Sequence, residues 1–179
     1  MQLHMRFLET ARRVPQKVAV VDRSQGRRLT YAQMLVASLM LSRSMKGWGN
    51  GQETFLGILL PNSAGAMIAF MASLMAGRVP VMINYATGAT GNVAFARKRC
   101  GFQTVLTARA LLDKLQLEAD EGMVFLEDIL GELRVFDKIR GLVKSKLPLG
   151  LLGRWVHRGT EDETAVILFT SGSEREPRA

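Results

Sequence analysis

Ala165-Val166-Ile167-Leu168-Phe169-Thr170-Ser171-Gly172-Ser173-Glu174-Arg175-Glu176-Pro177-Arg178-Ala179 is the stretch on which the reading of this chain turns. Its first five residues are apolar, branched or aromatic, which is the composition of a buried strand, and they pass without a spacer into a turn of hydroxyls around one glycine. Such a turn holds anions. Backbone N–H groups and the hydroxyls of Thr170, Ser171 and Ser173 donate, Gly172 lets the backbone approach closely, and Arg175 and Arg178 add positive charge. Phosphate fits that set of donors. No Gly-Lys-Ser/Thr follows four residues after a glycine, so the common P-loop and its chemistry are not indicated. The same residues also read as a plain polar turn at a strand end.

Upstream the pattern alternates. Phe7, Leu8, Ala11 and Val14 fall at helical spacing before Pro15, and Val18 to Val21 with Arg27 to Leu29 read as two arms of a hairpin around Asp22-Arg23-Ser24-Gln25-Gly26. Thr30 and Gln33 have capping-box spacing and open a helix that Gly47, Gly49 and Gly51 stop. Phe55 to Leu60 is a central-strand candidate, Pro61-Asn62-Ser63 breaks it, and a helix from Ala64 to Ala76 follows. Val79 to Ile83, Thr104 to Leu106 and Met123 to Leu126 continue the strands. The helices between them are expected to start at Thr90 or Asn92 and after a Thr107 cap. Strands apolar throughout, alternating with helices, predict an α/β fold: a mainly parallel sheet with helices on both faces and right-handed crossovers. Three units are expected along the chain: an α/β subdomain at 1–133, a basic linker at 134–160, and the last strand with its turn at 161–179.

The 179 residues are 47% hydrophobic and 22% charged, ordinary usage for a globular domain. A single cysteine, Cys100, excludes an internal disulfide and a cysteine metal cluster, and with no secretory signal it fits a reducing cytoplasm. His4 and His157 have no ligand-like spacing. The uncharged run from Thr54 to Gly77 invites a membrane-spanning reading, but the break at Pro61-Asn62 leaves a helical part well short of the roughly 20 continuous residues a span requires. Its methionines, Met67, Met71 and Met75, are expected in the core. Arg97, Lys98 and Arg99 before Gly101 suit the negative end of a helix dipole, with phosphate binding the lesser reading.

Most of the +8 net charge gathers between Arg134 and Arg158, and the rest of the chain sums close to neutral, which argues against nucleic acid as a partner. Within that segment Leu142 to Arg158 mixes bases, leucines and Trp155. It reads either as a solvated linker whose apolar residues pack on the domain or as a peripheral contact with an anionic membrane surface.

Thr170-Ser171-Gly172-Ser173-Glu174-Arg175-Glu176-Pro177-Arg178 resembles the phosphate-binding loop of the adenylate-forming (AMP-binding) synthetases, usually Thr-Ser-Gly-Thr-Thr-Gly-x-Pro-Lys-Gly. Arg175 and Ala179 stand where glycine is usual, and Arg178 replaces lysine while keeping its charge. Leu29-Thr30-Tyr31, Leu59-Leu60-Pro61-Asn62-Ser63, Ala76-Gly77-Arg78-Val79-Pro80 and Met82-Ile83-Asn84-Tyr85 resemble the N-terminal subdomain of the same family, in the same order. Ser173-Glu174, Met82 to Gly88 and Val105 to Arg109 are similar to one branch, the acyl-carrier-protein synthetases linked to 2-acylglycerophosphoethanolamine acyltransferase.

This resemblance implies a ligase that joins a fatty acid to ATP as an acyl-adenylate and passes the acyl group to a thiol of acyl carrier protein or CoA, in lysophospholipid reacylation. It implies ATP and Mg²⁺ as cofactors, with Thr170, Ser171, Gly172, Ser173, Glu174, Arg175, Pro177 and Arg178 around the phosphates. It further implies that the acyl pocket, adenine segment, magnesium-holding glutamate and C-terminal lobe follow Ala179, so that the chain is an N-terminal piece without full turnover. By the same resemblance the protein is cytoplasmic, peripheral on or fused to an inner-membrane protein. A non-catalytic nucleotide-binding or membrane-surface module is the alternative.

Overall fold

The computed structural model describes residues 2–86, 88–133 and 156–169. Helix α1 (Leu3–Arg13) leads into a hairpin of β1 (Val18–Asp22) and β2 (Arg27–Thr30), which forms a separate two-stranded antiparallel sheet. Helix α2 (Tyr31–Met45) follows at once, because the Thr30–Gln33 capping box closes as its spacing predicts. The Gln33 amide donates to Thr30 Oγ1 at 3.3 Å and the Thr30 amide donates to Gln33 Oε1 at 2.9 Å.

The main sheet has five parallel strands, β3 (Phe55–Ile58), β4 (Val79–Met82), β5 (Val105–Thr107), β6 (Met123–Phe125) and β7 (Ile167–Leu168), in the spatial order β6-β5-β3-β4-β7. Helices α3 (Ala64–Met75), α4 (Ala89–Cys100) and α5 (Arg109–Leu115) connect successive strands, and α6 (Leu126–Leu133) follows β6. From β3 the chain moves outward to β4, then crosses back over β3 to β5. The neighbours β3 and β5 therefore mark the point where the direction of winding reverses.

Alternation along the strands divides the core in two. Leu56, Ile58 and Leu106 face α1, α2, α3 and α6, whereas Leu59, Val81 and Val105 face α4 and α5. Gly57 in β3 makes room for the second layer, since a Cβ there would stand 2.7 Å from the ring of fully buried Phe102. Helix α3 is buried nearly all round, as its lack of charge predicts, but Met67 surfaces at 43% exposure while Met71, Leu74 and Met75 stay inside. Among the described residues no helix is long and apolar enough to cross a membrane.

Several element bounds differ from the sequence reading. The buried strand expected over 165–169 is only Ile167–Leu168, an edge strand with Leu168 60% exposed, β5 starts at Val105 and not Thr104, and Leu126 opens α6 instead of ending β6. Two helix starts differ as well. Helix α4 begins at Ala89, ahead of Thr90 and Asn92, after Gly88 in the left-handed conformation (φ 61°), and Asn92 spends its side-chain amide on the Asn84 carbonyl at 2.9 Å. Thr107 is the last residue of β5 and caps nothing: its buried hydroxyl donates to the Leu59 carbonyl at 3.0 Å, tying β5 to the chain leaving β3, and α5 starts after Ala108.

Candidate functional site

The two edges of the parallel sheet are built differently. At the amino edge, Glu53 ahead of β3 accepts from the Gln103 amide at 2.7 Å and the Thr104 amide at 3.3 Å, just ahead of β5. Arg78, ahead of β4 and only 5% exposed, donates to the Trp48 carbonyl at 2.5 Å and lies 3.8 Å from Glu53. Burial works to raise the Glu53 pKa, and hydrogen bonds from Thr104 and Gln103 outweigh it, so the carboxyl sits below its ordinary range. Arg97 closes the same edge. It holds Asp120 with two bonds of 2.6 and 2.8 Å and donates to the Gln103 carbonyl at 3.0 Å, which depresses the Asp120 pKa. The first base of the Arg97-Lys98-Arg99 cluster thus serves the fold.

The carboxyl edge is where the loops leave. Helix α3 starts there with its own caps: Ser63 Oγ accepts from the Ala66 amide at 3.3 Å, and Asp22 Oδ2 from β1 accepts from the Ala64 amide at 2.9 Å. The Ser24 hydroxyl and the Ala64 amide hold the Asp22 carboxyl below the usual carboxylate range. The positive end of α3 is therefore already served by the protein. Helix α4 differs, for among the described residues no side chain is seen to cap its start at Gly88, and Thr90 and Gly91 are exposed. Arg109, at the start of α5, is committed to Asp128 at 2.5 and 2.9 Å and lies over the Phe125 ring at 4.2 Å.

Strand β7 reaches this edge beside β4, with Val81 opposite Ile167 and Met82 opposite Leu168 in parallel register. Its carboxyl end therefore points the same way as those of β3, β4, β5 and β6. The next residue, Phe169, sets its ring against Phe95 of α4 at 5.4 Å between centroids. The sequence-based binding residues Thr170, Ser171, Gly172, Ser173, Glu174, Arg175, Pro177 and Arg178 lie outside the described residues, as does most of the basic linker.

Within the last part of the linker, Val156 is buried and the His157 amide donates to the Met75 carbonyl at 2.8 Å. The end of that segment thus packs on α3. Among the described residues no cluster of His, Cys, Asp or Glu is arranged to hold a metal ion. The sequence reading missed Asp22 as a cap. Its only signal was an acid in a turn, and its partner amide is 42 residues away.

A family model described as AMP-binding enzyme matches residues 7–178, nearly the whole chain. The chain belongs to the AMP-binding enzyme family. It is 24% identical over 178 residues to bacitracin synthase 1 of Bacillus licheniformis, an alignment spanning 98% of this chain and 3% of that protein. Among solved structures it is similar to the nonribosomal peptide synthetase FmoA3 in its AMPPNP-bound form, with 28% identity, a TM-score of 0.60, and coverage of 69% of this chain and 13% of that one. The complex of VinN with 3-methylaspartate shares the fold over 99% of this chain and 46% of that one, at a TM-score of 0.73 and 17% identity. The chain therefore spans less than half the length of each of these proteins.

Proposed function

We propose that this chain supplies the phosphate-binding side of an ATP-dependent acid-activating ligase. A carboxylate oxygen attacks the α-phosphorus of ATP, pyrophosphate leaves, and an acyl-adenylate remains for transfer to a thiol. The observation that carries the reading is the parallel placement of β7 beside β4, which brings Phe169, the residue before Thr170, to the carboxyl edge at which α4 starts. Backbone amides and hydroxyls from Thr170 to Glu174, with Arg175 and Arg178, are the proposed ligands of the phosphates. A preorganised set of this kind stabilises charge as it develops on the phosphate oxygens and holds the α-phosphorus for attack. Magnesium, supplied with ATP, would neutralise phosphate charge.

The acid is proposed to be a fatty acid and the acceptor the thiol of acyl carrier protein or CoA, in lysophospholipid reacylation. Ser173-Glu174 and the Met82 to Gly88 stretch support that branch by resemblance. A peripheral contact of the Leu142 to Arg158 segment with anionic lipid belongs to the same reading. A second reading, activation of an amino acid, is favoured by two of the similar structures: FmoA3 in its α-methyl-L-serine-AMP bound form, and VinN in its complex with 3-methylaspartate.

The nucleotide claim is tested on the chain itself. ATP is expected to raise its Tm, and Arg178→Ala to abolish the shift; an unchanged shift in the variant would remove the loop from the proposal. The choice of acid is tested by pyrophosphate release with fatty acids against amino acids.

A further inference from the structure

Summed over the chain, the charge outside the linker looks balanced, but it is unevenly distributed along the sequence. Between Glu9 and Glu53 the only acid is Asp22. The fold buries that acid to 5% exposure, with its oxygens turned to the Ser24 and Gln25 amides, the Ser24 hydroxyl and the Ala64 amide. Arg12 and Arg13 in the last turn of α1, Lys17 in the connection, and Arg23, Arg27 and Arg28 on the hairpin are all exposed. None of these six makes an ion pair among the described residues. Like charges gathered without a counter-charge repel one another, so folding by itself gives them no partner.

Apolar surface lies among these bases. Val21 is 55% exposed and Val18 38%, although Ala19, Val20 and Leu29 of the same hairpin pack on the core. Val21 stands opposite Arg28 in the antiparallel register, and residues directly opposite share a face. That face therefore pairs a bare valine with an exposed arginine, a side chain whose aliphatic stem can cover apolar surface while its charged head stays in water. The hairpin also stands outside the main parallel sheet, so nothing in the sheet's winding covers it.

We propose that the α1 end and the β1–β2 hairpin form a docking surface for a phospholipid bilayer carrying anionic headgroups. The charge is complementary, a fluid lipid surface accommodates dispersed bases without fixed partner geometry, and the valines have an apolar layer to enter. Nucleic acid fits less well, because the exposed large apolar residues here are valines and no exposed aromatic ring is offered for base stacking. The proposal does not rest on nucleotide binding, and it concerns residues remote in sequence from the basic linker.

The test is co-sedimentation of the 179-residue chain with phosphatidylglycerol–phosphatidylcholine vesicles against phosphatidylcholine alone, at low and high salt. Binding is expected only to the anionic vesicles, weakening with salt. Replacing Arg23, Arg27 and Arg28 together by Gln is expected to lower partitioning about a hundredfold, with Val21→Ser lowering it further. Lys98→Gln with Arg99→Gln, two exposed bases at the far end of α4, is the control and is expected to leave binding unchanged. The triple Gln variant loses no ion pair, so its Tm verifies that it folds. If that triple cannot be obtained folded, Arg12→Gln with Arg13→Gln and Lys17→Gln asks the same question from the α1 side. No binding to anionic vesicles, an equal loss in the control, or a loss seen only when Lys144 and Lys146 of the linker are neutralised would each overturn the proposal.

Discussion

The ring of Phe169 meets that of Phe95 edge-on, with centroids 5.4 Å apart and planes at 78°. One ring follows the strand that leads to Thr170, and the other belongs to α4, so the pair joins the start of the proposed phosphate loop to the helix beside it. Edge-to-face pairs contribute about 0.5–1.5 kcal/mol beyond their buried area. Phe95→Ala is expected to destabilise the chain by roughly 1–2 kcal/mol in urea unfolding, since Phe95 is only half-buried. ATP-dependent stabilisation is expected to suffer more than Tm, because the start of the loop loses its support. Phe95→Tyr is expected to retain both. Equal losses in the two readouts would reduce the pair to ordinary packing.

Gly57 tests the packing between sheet and α4. A Cβ at this position would lie 2.7 Å from the Phe102 ring, 3.0 Å from Val105 Cγ2 and 3.1 Å from Ile83 Cδ1. All three neighbours are buried, at 1%, 0% and 5% exposure, so none moves freely. Gly57→Ala is expected to cost about 1–3 kcal/mol by overpacking, measured by urea unfolding, and a companion Phe102→Leu is expected to recover part of the loss.

Much of this arrangement was legible in the sequence because it rests on local signals. The Thr30–Gln33 box, the glycine and proline breaks and the unbroken apolar strands each act within a few residues. What escaped depends on distant partners. Asp22 caps α3 across 42 residues, and Thr107 had the composition of a cap but donates to the carbonyl of Leu59, just past the end of β3. Helix α4 starts early because Gly88 adopts a left-handed conformation, which composition alone does not fix. The spatial order of strands follows from which helix covers which face. The candidate loop was legible as a motif, and the comparisons support its family. The acyltransferase-linked branch rests on the motif alone.

Asp22 ties the hairpin to the entry of α3, so its removal is expected to act on both. Asp22→Ala frees the Ala64 amide and the Ser24 turn, and a Tm lower by roughly 2–4 °C is expected, the usual scale for a lost cap in a chain of this size. Asp22→Asn retains an acceptor and is expected to lose less. Equal Tm values for the wild type and Asp22→Ala would rule out the capping role.

The segment 156–163 is docked through a group that resists protonation. His4, 3% exposed, bonds through Nε2 to the His157 carbonyl at 2.9 Å, while His157 Nε2 meets Glu163 at 2.9 Å and Gln2 reaches the Thr160 carbonyl at 3.0 Å. Burial lowers the His4 pKa, the nearby His157 lowers it further, and the His157 bond and Glu163 oppose the shift. Between the ordinary value near 6.5 and the lowered one, the unfolded chain binds a proton that the folded chain refuses. Stability is therefore expected to fall as pH drops through about 6.5. Glu163, held below the usual carboxylate range by His157, adds a second loss in more acidic solution. His4→Gln keeps a donor for the His157 carbonyl without titrating, and it is expected to flatten the upper part of the Tm-against-pH curve. An unaltered curve would place the titration elsewhere.

Glu53 holds the amino edge together, and its replacement separates charge from hydrogen bonding. The carboxylate accepts from two amides ahead of β5 and faces Arg78, whose side chain is nearly inaccessible and whose Nη1 has no hydrogen-bond partner. Glu53→Gln keeps one oxygen for the amides but turns an NH₂ toward donors and leaves the buried guanidinium uncompensated. A loss of roughly 2–4 kcal/mol is expected, near the lower end of what breaking a buried pair costs, because 3.8 Å is a long ion pair. Adding Arg78→Met removes the orphaned charge and is expected to restore a large part of that loss. The urea midpoints of the two single variants and the double variant decide between charge and hydrogen bonding. Recovery in the double variant assigns the penalty to the stranded cation, whereas additive losses assign it to the amide bonds of Gln103 and Thr104.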